Sequence, residues 1–203
     1  MCGGGDRLKN YSLGIADDDF IRGKVPMTKQ EVRILTLAKA RIRPEHIVVD
    51  IGAGTGSLTI ESSFLANDGH VYAIEKNPEA VELLQENINK FERSNITVLA
   101  GYAPDIMPSA DVYFDTVLIG GSGGRLKELL QIVDKRLKPD GRIIINAVTL
   151  ETLSECTALL KDSLFVNYEH ELVCVQVTRM KQAGSYNLFD ALNPVYILVA
   201  RKI

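Results

Sequence analysis

The chain has 203 residues, 46% hydrophobic and 24% charged, with no Trp and a formal net charge of −3. That suits one domain with a real core and excludes disordered, collagenous and coiled-coil classes. The acidic total argues against nucleic acid as a partner, and no apolar run reaches the ~18 residues of a membrane span.

Three scattered cysteines, no C-x-x-C and three histidines without ligand spacing predict no disulfide frame and no protein-held metal. The opening MCGGGDRLKN lacks an apolar signal core. The expectation is a cytoplasmic protein, with residues 1–16 a flexible leader and 17–203 one domain. The first 43 residues carry nine Lys or Arg against five acids, so a local basic surface is expected within the acidic whole.

After a polar, turn-like stretch at 17–26, Thr28 stands in N-cap position with Glu31 three residues on, as in a capping box. Val32, Leu35, Ala38 and Ile42 keep near-helical spacing up to Pro44. Strands and helices then alternate: a strand at 47–51, a helix over 56–66 and a strand at 70–75. Asn77-Pro78 opens a helix lined by Val81, Leu84, Ile88 and Phe91. Strands follow at 96–100 and 114–119, a helix at 122–137 ended by Pro139-Asp140-Gly141, a strand at 142–148 and a helix at 150–163. The tail differs. Strands at 168–180 and 195–201 are joined by about 14 residues, too few for a crossover helix, so they should pair antiparallel. The prediction is an α/β fold: a seven-stranded, mostly parallel sheet with a C-terminal antiparallel hairpin and helices on both faces.

The stretch 48–57, VVDIGAGTGS, ends the first strand in three glycines spaced by two. A P-loop would need Lys and Ser or Thr after the last glycine; Ser57 and Leu58 stand there. The dinucleotide fingerprint G-x-G-x-x-G fails at Ser57. A tight turn without a ligand is the plain alternative. Two acids add to the glycines: Asp50 just before the first glycine and Glu75 at the end of the second strand, where a carboxylate can accept ribose hydroxyls.

The pattern D-x-G-x-G-x-G with that second acid resembles class I S-adenosylmethionine-dependent methyltransferases. The resemblance implies a cofactor site of Asp50, Gly52, Ala53, Gly54, Thr55, Gly56 and Glu75. It adds Ala103 after the third strand and Gly120 after the fourth. The stretch GGSGG at 120–124 stands where amino-nitrogen methylases carry a polar-Pro-Pro-aromatic motif.

The stretch DDFIRGKVPMTKQEVR at 18–33, with VVDIGAGTGSLTIE, AIEKNPEAVELLQENI, FDTVLIGGSGG and LKPDGRIIINAVTLE, resembles a narrower family. This is the decarboxylating precorrin C15-methyltransferase family of cobalamin biosynthesis. The likeness covers nearly all of 17–203. It implies methyl transfer from S-adenosylmethionine to C15 of cobalt-precorrin-6B with loss of the ring C acetate carboxyl. It also implies Thr28 in the cofactor site, a homotetramer, and pairing with a separate C5-methyltransferase. The polycarboxylate substrate needs cationic donors; Arg22, Lys24, Lys29, Arg33 and Arg125 are the candidates, with Gly121, beneath the methyl donor, as a further substrate contact and Arg179 and Lys181 on the terminal hairpin. No residue stands out as a catalytic acid or base, and any cobalt belongs to the substrate. A transfer-RNA adenine methyltransferase and a non-catalytic cofactor-binding subunit are the alternatives.

Overall fold

The computed structural model describes residues 13–161 and 165–203. The elements in chain order are α1 (Gln30–Ala40), β1 (Ile47–Ile51), α2 (Ser57–Leu65), β2 (His70–Glu75), α3 (Pro78–Lys90), β3 (Ile96–Ala100) and β4 (Phe114–Ile119). They continue as α4 (Leu126–Arg136), β5 (Leu137–Ala147), α5 (Leu150–Leu159), β6 (Tyr168–Val175), β7 (Thr178–Ala183), β8 (Tyr186–Ala191) and β9 (Val195–Lys202).

Seven strands form one sheet in the order β3-β2-β1-β4-β5-β9-β6. β1 to β5 pair in parallel, and β9 runs antiparallel between β5 and β6. This is the expected α/β architecture. Strand alternation divides the core. Val49, Ile51, Val117, Ile119, Ile143 and Ile145 face α4 and α5. Val48, Leu118, Ile144 and Val199 face α1 and α2, while Ala73 packs with Leu84 and Ile88 of α3. Central strands buried on both faces read as continuous apolar runs. None of the described helices is long and apolar enough to cross a membrane.

The structure corrects several sequence expectations. The tail is not one long strand and a loop. β6 stops at Val175, and residues 178–191 form a separate two-stranded sheet, β7 with β8. Ala183 pairs with Tyr186 across Gly184-Ser185, with Gly184 at φ +61°. Glycine at the first position of a two-residue loop is a hairpin signal, overlooked beside the longer apolar run. The helix expected from Ser122 starts at Leu126, because Gly123 and Gly124 hold φ of +61° and +81°. Thr28 is not a cap: Lys29 precedes α1, with no side-chain capping bond. The expected helix to residue 43 ends at Ala40, where Arg41 turns left-handed. β5 begins at Leu137, with a register shift against β4 near Thr116. Of the expected leader, Gly14 and Ile15 donate backbone N–H groups to Glu61 and Ile15 is buried; residues 1–12 lie outside the described residues, as do 162 and 163 of the expected 150–163 helix.

Candidate active site

A cavity of about 470 Å³ opens at the carboxyl ends of β1, β2, β4 and β5. One wall is backbone. Gly52 and Ala53 donate N–H groups to Ile74 O, and Gly120 donates to Ile51 O, so the loops after β1 and β4 are stitched together. Gly52 has φ +73°, and a Cβ on it would stand 2.9 Å from Gly121 N. Glycine is required there twice over, by backbone conformation and by the close approach. Gly54, at φ +57°, would carry a Cβ 3.3 Å from Pro26 O.

Glu75 anchors this wall. Its Oε1 accepts the N–H groups of Lys76 and Asn77, each at 2.8 Å. Oε2 accepts Gly54 N–H at 2.9 Å. A carboxylate has about four acceptor positions, so Oε2 keeps one for a ligand hydroxyl. Thr55 lines the same cavity, and its buried Oγ1 has no partner. Asp50 lies beneath the wall, 1% exposed, accepting Thr59 Oγ1–H at 2.5 Å. Burial raises its pKa to about 6; the Thr59 bond lowers it less, and the Glu75 charge adds to the rise.

The adjoining wall is held by side chains. Pro26 to Lys29 form a strap along the cavity, fastened by Arg33, a residue of α1 with 0% exposure. Arg33 Nε donates to Glu61 at 2.6 Å, Nη1 donates to Asp17 at 3.0 Å and to Thr28 O at 2.6 Å, and Nη2 donates to Ile15 O. Arg179, from β7, then bridges Asp17 at 3.0 Å and Glu31 at 2.5 Å. Burial pushes the Asp17 carboxyl up, but the bonds from Arg33 and Arg179 outweigh it and hold the pKa below the usual range. Val148, Val177, Leu192 and Val195 supply apolar lining at this end. Among them stands Asn146, whose Oδ1 accepts Thr36 Oγ1–H at 3.2 Å. Asn146 also lines the cavity, which places its amide to meet a ligand there.

A profile described as a precorrin methyltransferase domain matches residues 19–202. The chain belongs to this family. It is 39% identical over 192 residues to a Sulfurisphaera tokodaii protein named "Probable cobalt-precorrin-6B C(15)-methyltransferase (decarboxylating)", covering 93% of this chain and 97% of that one. Among solved structures it is similar to a Geobacter metallireducens precorrin-6y C5,15-methyltransferase, with TM-score 0.84 and 42% identity over 94% of this chain and 97% of that one. It is also similar to a precorrin 8W decarboxylase from Methanobacterium thermoautotrophicum, with TM-score 0.82 and 33% identity over 91% and 98%.

In this methyltransferase, Thr28, Gly52, Ala53, Gly54, Thr55, Glu75, Ala103 and Gly120 of the expected cofactor set line the cavity. Asp50 and Gly56 do not. Gly56 instead lets the chain pass Leu84, whose Cδ1 would be 2.2 Å from an added Cβ. Lys29 and Gly121 of the expected substrate set are lining residues. The other cations are corrected by their partners. Arg33 is enclosed, Arg22 pairs with Asp18 at 2.5 Å, and Arg125 pairs with Asp105 and Glu128 at 2.7 and 2.8 Å. Lys24 lies outside the lining, and Arg179 is committed to the strap. Residues the sequence reading missed are Asn146 and Lys76. Lys76 lines the cavity with its Nζ 4.7 Å from the Tyr102 ring centroid. An asparagine ending a run of isoleucines in RIIINA was the available signal for Asn146.

Proposed function

We propose that this enzyme transfers a methyl group from S-adenosylmethionine to C15 of cobalt-precorrin-6B and releases the ring C acetate carboxyl as CO2. The observation that carries the reading is the two-walled cavity: a backbone cradle with Glu75 on one side, and an apolar end with the amides of Asn146 and Asn193 on the other. The cofactor supplies a methyl group on a positively charged sulfur, open to in-line attack. The residues suit it. The open space at Gly121, the free acceptor position on Glu75 and the orphaned Thr55 hydroxyl fit a ligand of ribose and amino-acid character.

The acceptor carbon belongs to an electron-rich conjugated ring and needs no strong base. The protein's work is therefore alignment and exclusion of water. Asn146 donates to an oxygen of the corrin periphery, and Lys29 and Lys76 meet its carboxylates. The apolar lining around Asn146 suits a carboxylate about to leave as CO2, because charge disperses into the ring as the C–C bond breaks. Electrons from that bond enter the macrocycle, which methylation has made electron-poor.

The working form we propose is a cytoplasmic homotetramer, acting beside a separate C5-methyltransferase. The β7–β8 hairpin supports association with further copies: Met180 is 72%, Tyr186 73% and Phe189 89% exposed, and an isolated hairpin is marginal in water. Sedimentation analysis should give a tetramer, reduced to smaller species by Phe189→Glu. The activity test is an anaerobic incubation of the protein with methyl-labelled S-adenosylmethionine and cobalt-precorrin-6B, read by mass spectrometry. One added label with loss of CO2 is expected. An unchanged corrinoid in the presence of bound cofactor refutes the substrate.

A further inference from the structure

The sheet has a second opening at its other end. A cavity of about 480 Å³ lies at the amino ends of β1, β4 and β5, roughly 17 Å of strand from the glycine loop. Arg41, Arg43, Lys138, Arg142 and Arg201 line it, with the carboxylates of Glu45, Asp115 and Asp140.

Pairing divides these charges. Asp115 holds Lys138 at 2.8 Å, and Asp140 and Glu169 hold Arg201, each at 2.7 Å. No carboxylate of the described residues forms an ion pair with Arg41, Arg43 or Arg142. Arg142 is half-buried, and burial, with repulsion from Arg41 and Arg201, lowers its pKa against a smaller opposing pull from Asp140 and Glu169. The lining carboxylate left without an ion pair, Glu45, is exposed to solvent.

Two neutral groups at the same place also lack partners. Thr116 is 0% exposed, and its Oγ1 makes no hydrogen bond among the described residues; His46 Nδ1 is likewise buried and unpartnered among them. Thr116 is the register partner of Arg142 across β4 and β5, so the hydroxyl and the guanidinium arise side by side. A buried polar group left unpaired costs about 1–3 kcal/mol. An oxyanion relieves that cost and the repulsion among the guanidiniums together. Guanidinium forks match phosphate and carboxylate oxygens alike.

We propose that this amino-end cavity binds a small molecule through an oxyanion group, phosphate or carboxylate, held by Arg41, Arg43 and Arg142, with Thr116 and His46 as hydrogen-bond donors. The site is separate from the methyl-transfer cavity and has its own ligand.

The test is calorimetric titration of the full chain at low salt with inorganic pyrophosphate and, separately, with citrate. One equivalent of at least one anion should bind. A response to pyrophosphate alone assigns phosphate chemistry, and a response to citrate alone assigns carboxylate. Arg142→Ala should weaken binding at least tenfold. Arg41→Ala, at an exposed position, should weaken it at least threefold. Glu75→Gln, in the other cavity, should leave it unchanged. Amide resonances of Thr116 and Arg142 should shift on titration. Absence of binding to both anions overturns the proposal, as does binding that survives both arginine substitutions or is lost with Glu75→Gln.

Discussion

At the ends of β1 and β2 the cavity wall is main chain: Gly52 packed against Gly121, and Glu75 holding three N–H groups. Beside it, with Pro26 O facing Gly54, the Pro26–Lys29 strap is held by ions, with Arg33 and Arg179 clamped on Asp17, Glu31 and Glu61. The first wall tolerates no added atom at Gly52, because the neighbours there are backbone and cannot move aside. The second depends on its charges being matched, above all around the enclosed Arg33. A close-fitting backbone wall suits a cofactor of constant shape. A wall carried by side chains is where acceptor specificity can vary without disturbing the glycine loop.

The contrast is most severely tested at Arg33. Arg33→Ala leaves Asp17 and Glu61 without the cation buried between them, and breaking a buried pair this way costs about 3–5 kcal/mol. The urea midpoint should fall accordingly, and Arg33→Lys should recover little, since one ammonium cannot reach the several acceptors the fork serves. A near-normal midpoint for Arg33→Ala would mean the strap is held by packing instead.

Gly52→Ala comes next. The added Cβ meets Gly121 backbone at 2.9 Å and 3.0 Å at a φ of +73°, a strain of about 1–3 kcal/mol. S-adenosylmethionine affinity should drop by about 100-fold, roughly 2.7 kcal/mol, with the corrinoid affinity changed far less. Equal loss of both would break the two-wall contrast.

Asp50 gives an effect of similar size with a pH signature. Its folded pKa is raised to about 6 against 3.8, so the native state holds a proton the unfolded chain releases. The stability this provides is full below pH ~4 and lost as pH rises through ~6, about 3 kcal/mol in all. Asp17, with its pKa lowered, has the opposite sign: its contribution is present above the unfolded pKa and lost as pH falls. Asp50→Asn keeps an acceptor for Thr59 and should flatten the fall in melting temperature between pH ~4 and ~7. An unchanged profile would show that Asp50 is not the group responsible.

The smallest effect expected is at Arg179, whose side chain is 38% exposed. Solvent screening limits such pairs to about 1 kcal/mol. Arg179→Ala should barely move the melting temperature while raising KM for the corrinoid a few-fold, because the strap loses its tie to β7. A cofactor KM that rises equally would show that Arg179 does not act through the acceptor wall.

How much of this could be read in the sequence follows the same division. Gly52, Gly54, Thr55 and Glu75 were legible because backbone cradles need glycine at set spacings and strand ends place acids predictably. Thr28 lines the cavity and is not a helix cap. The acceptor wall was legible only as an excess of cations. Which of them reach the cavity depends on pairing with distant residues, as Arg33 does with Glu61 and Arg179 with Asp17, and no local pattern reveals that. The β7–β8 hairpin was missed for a related reason: it packs on little of its own chain, so its first residues read as the end of the 168–180 strand and the rest as a connection.

The most direct measurement is a crossed titration. S-adenosylmethionine and, under anaerobic conditions, cobalt-precorrin-6B are each titrated into the Glu75→Gln and Asn146→Ala proteins. Glu75→Gln should weaken the cofactor at least tenfold and spare the corrinoid, and Asn146→Ala should do the reverse. Loss of both ligands to the same extent in either variant, or of neither in both, would contradict a cavity with separate cofactor and acceptor walls.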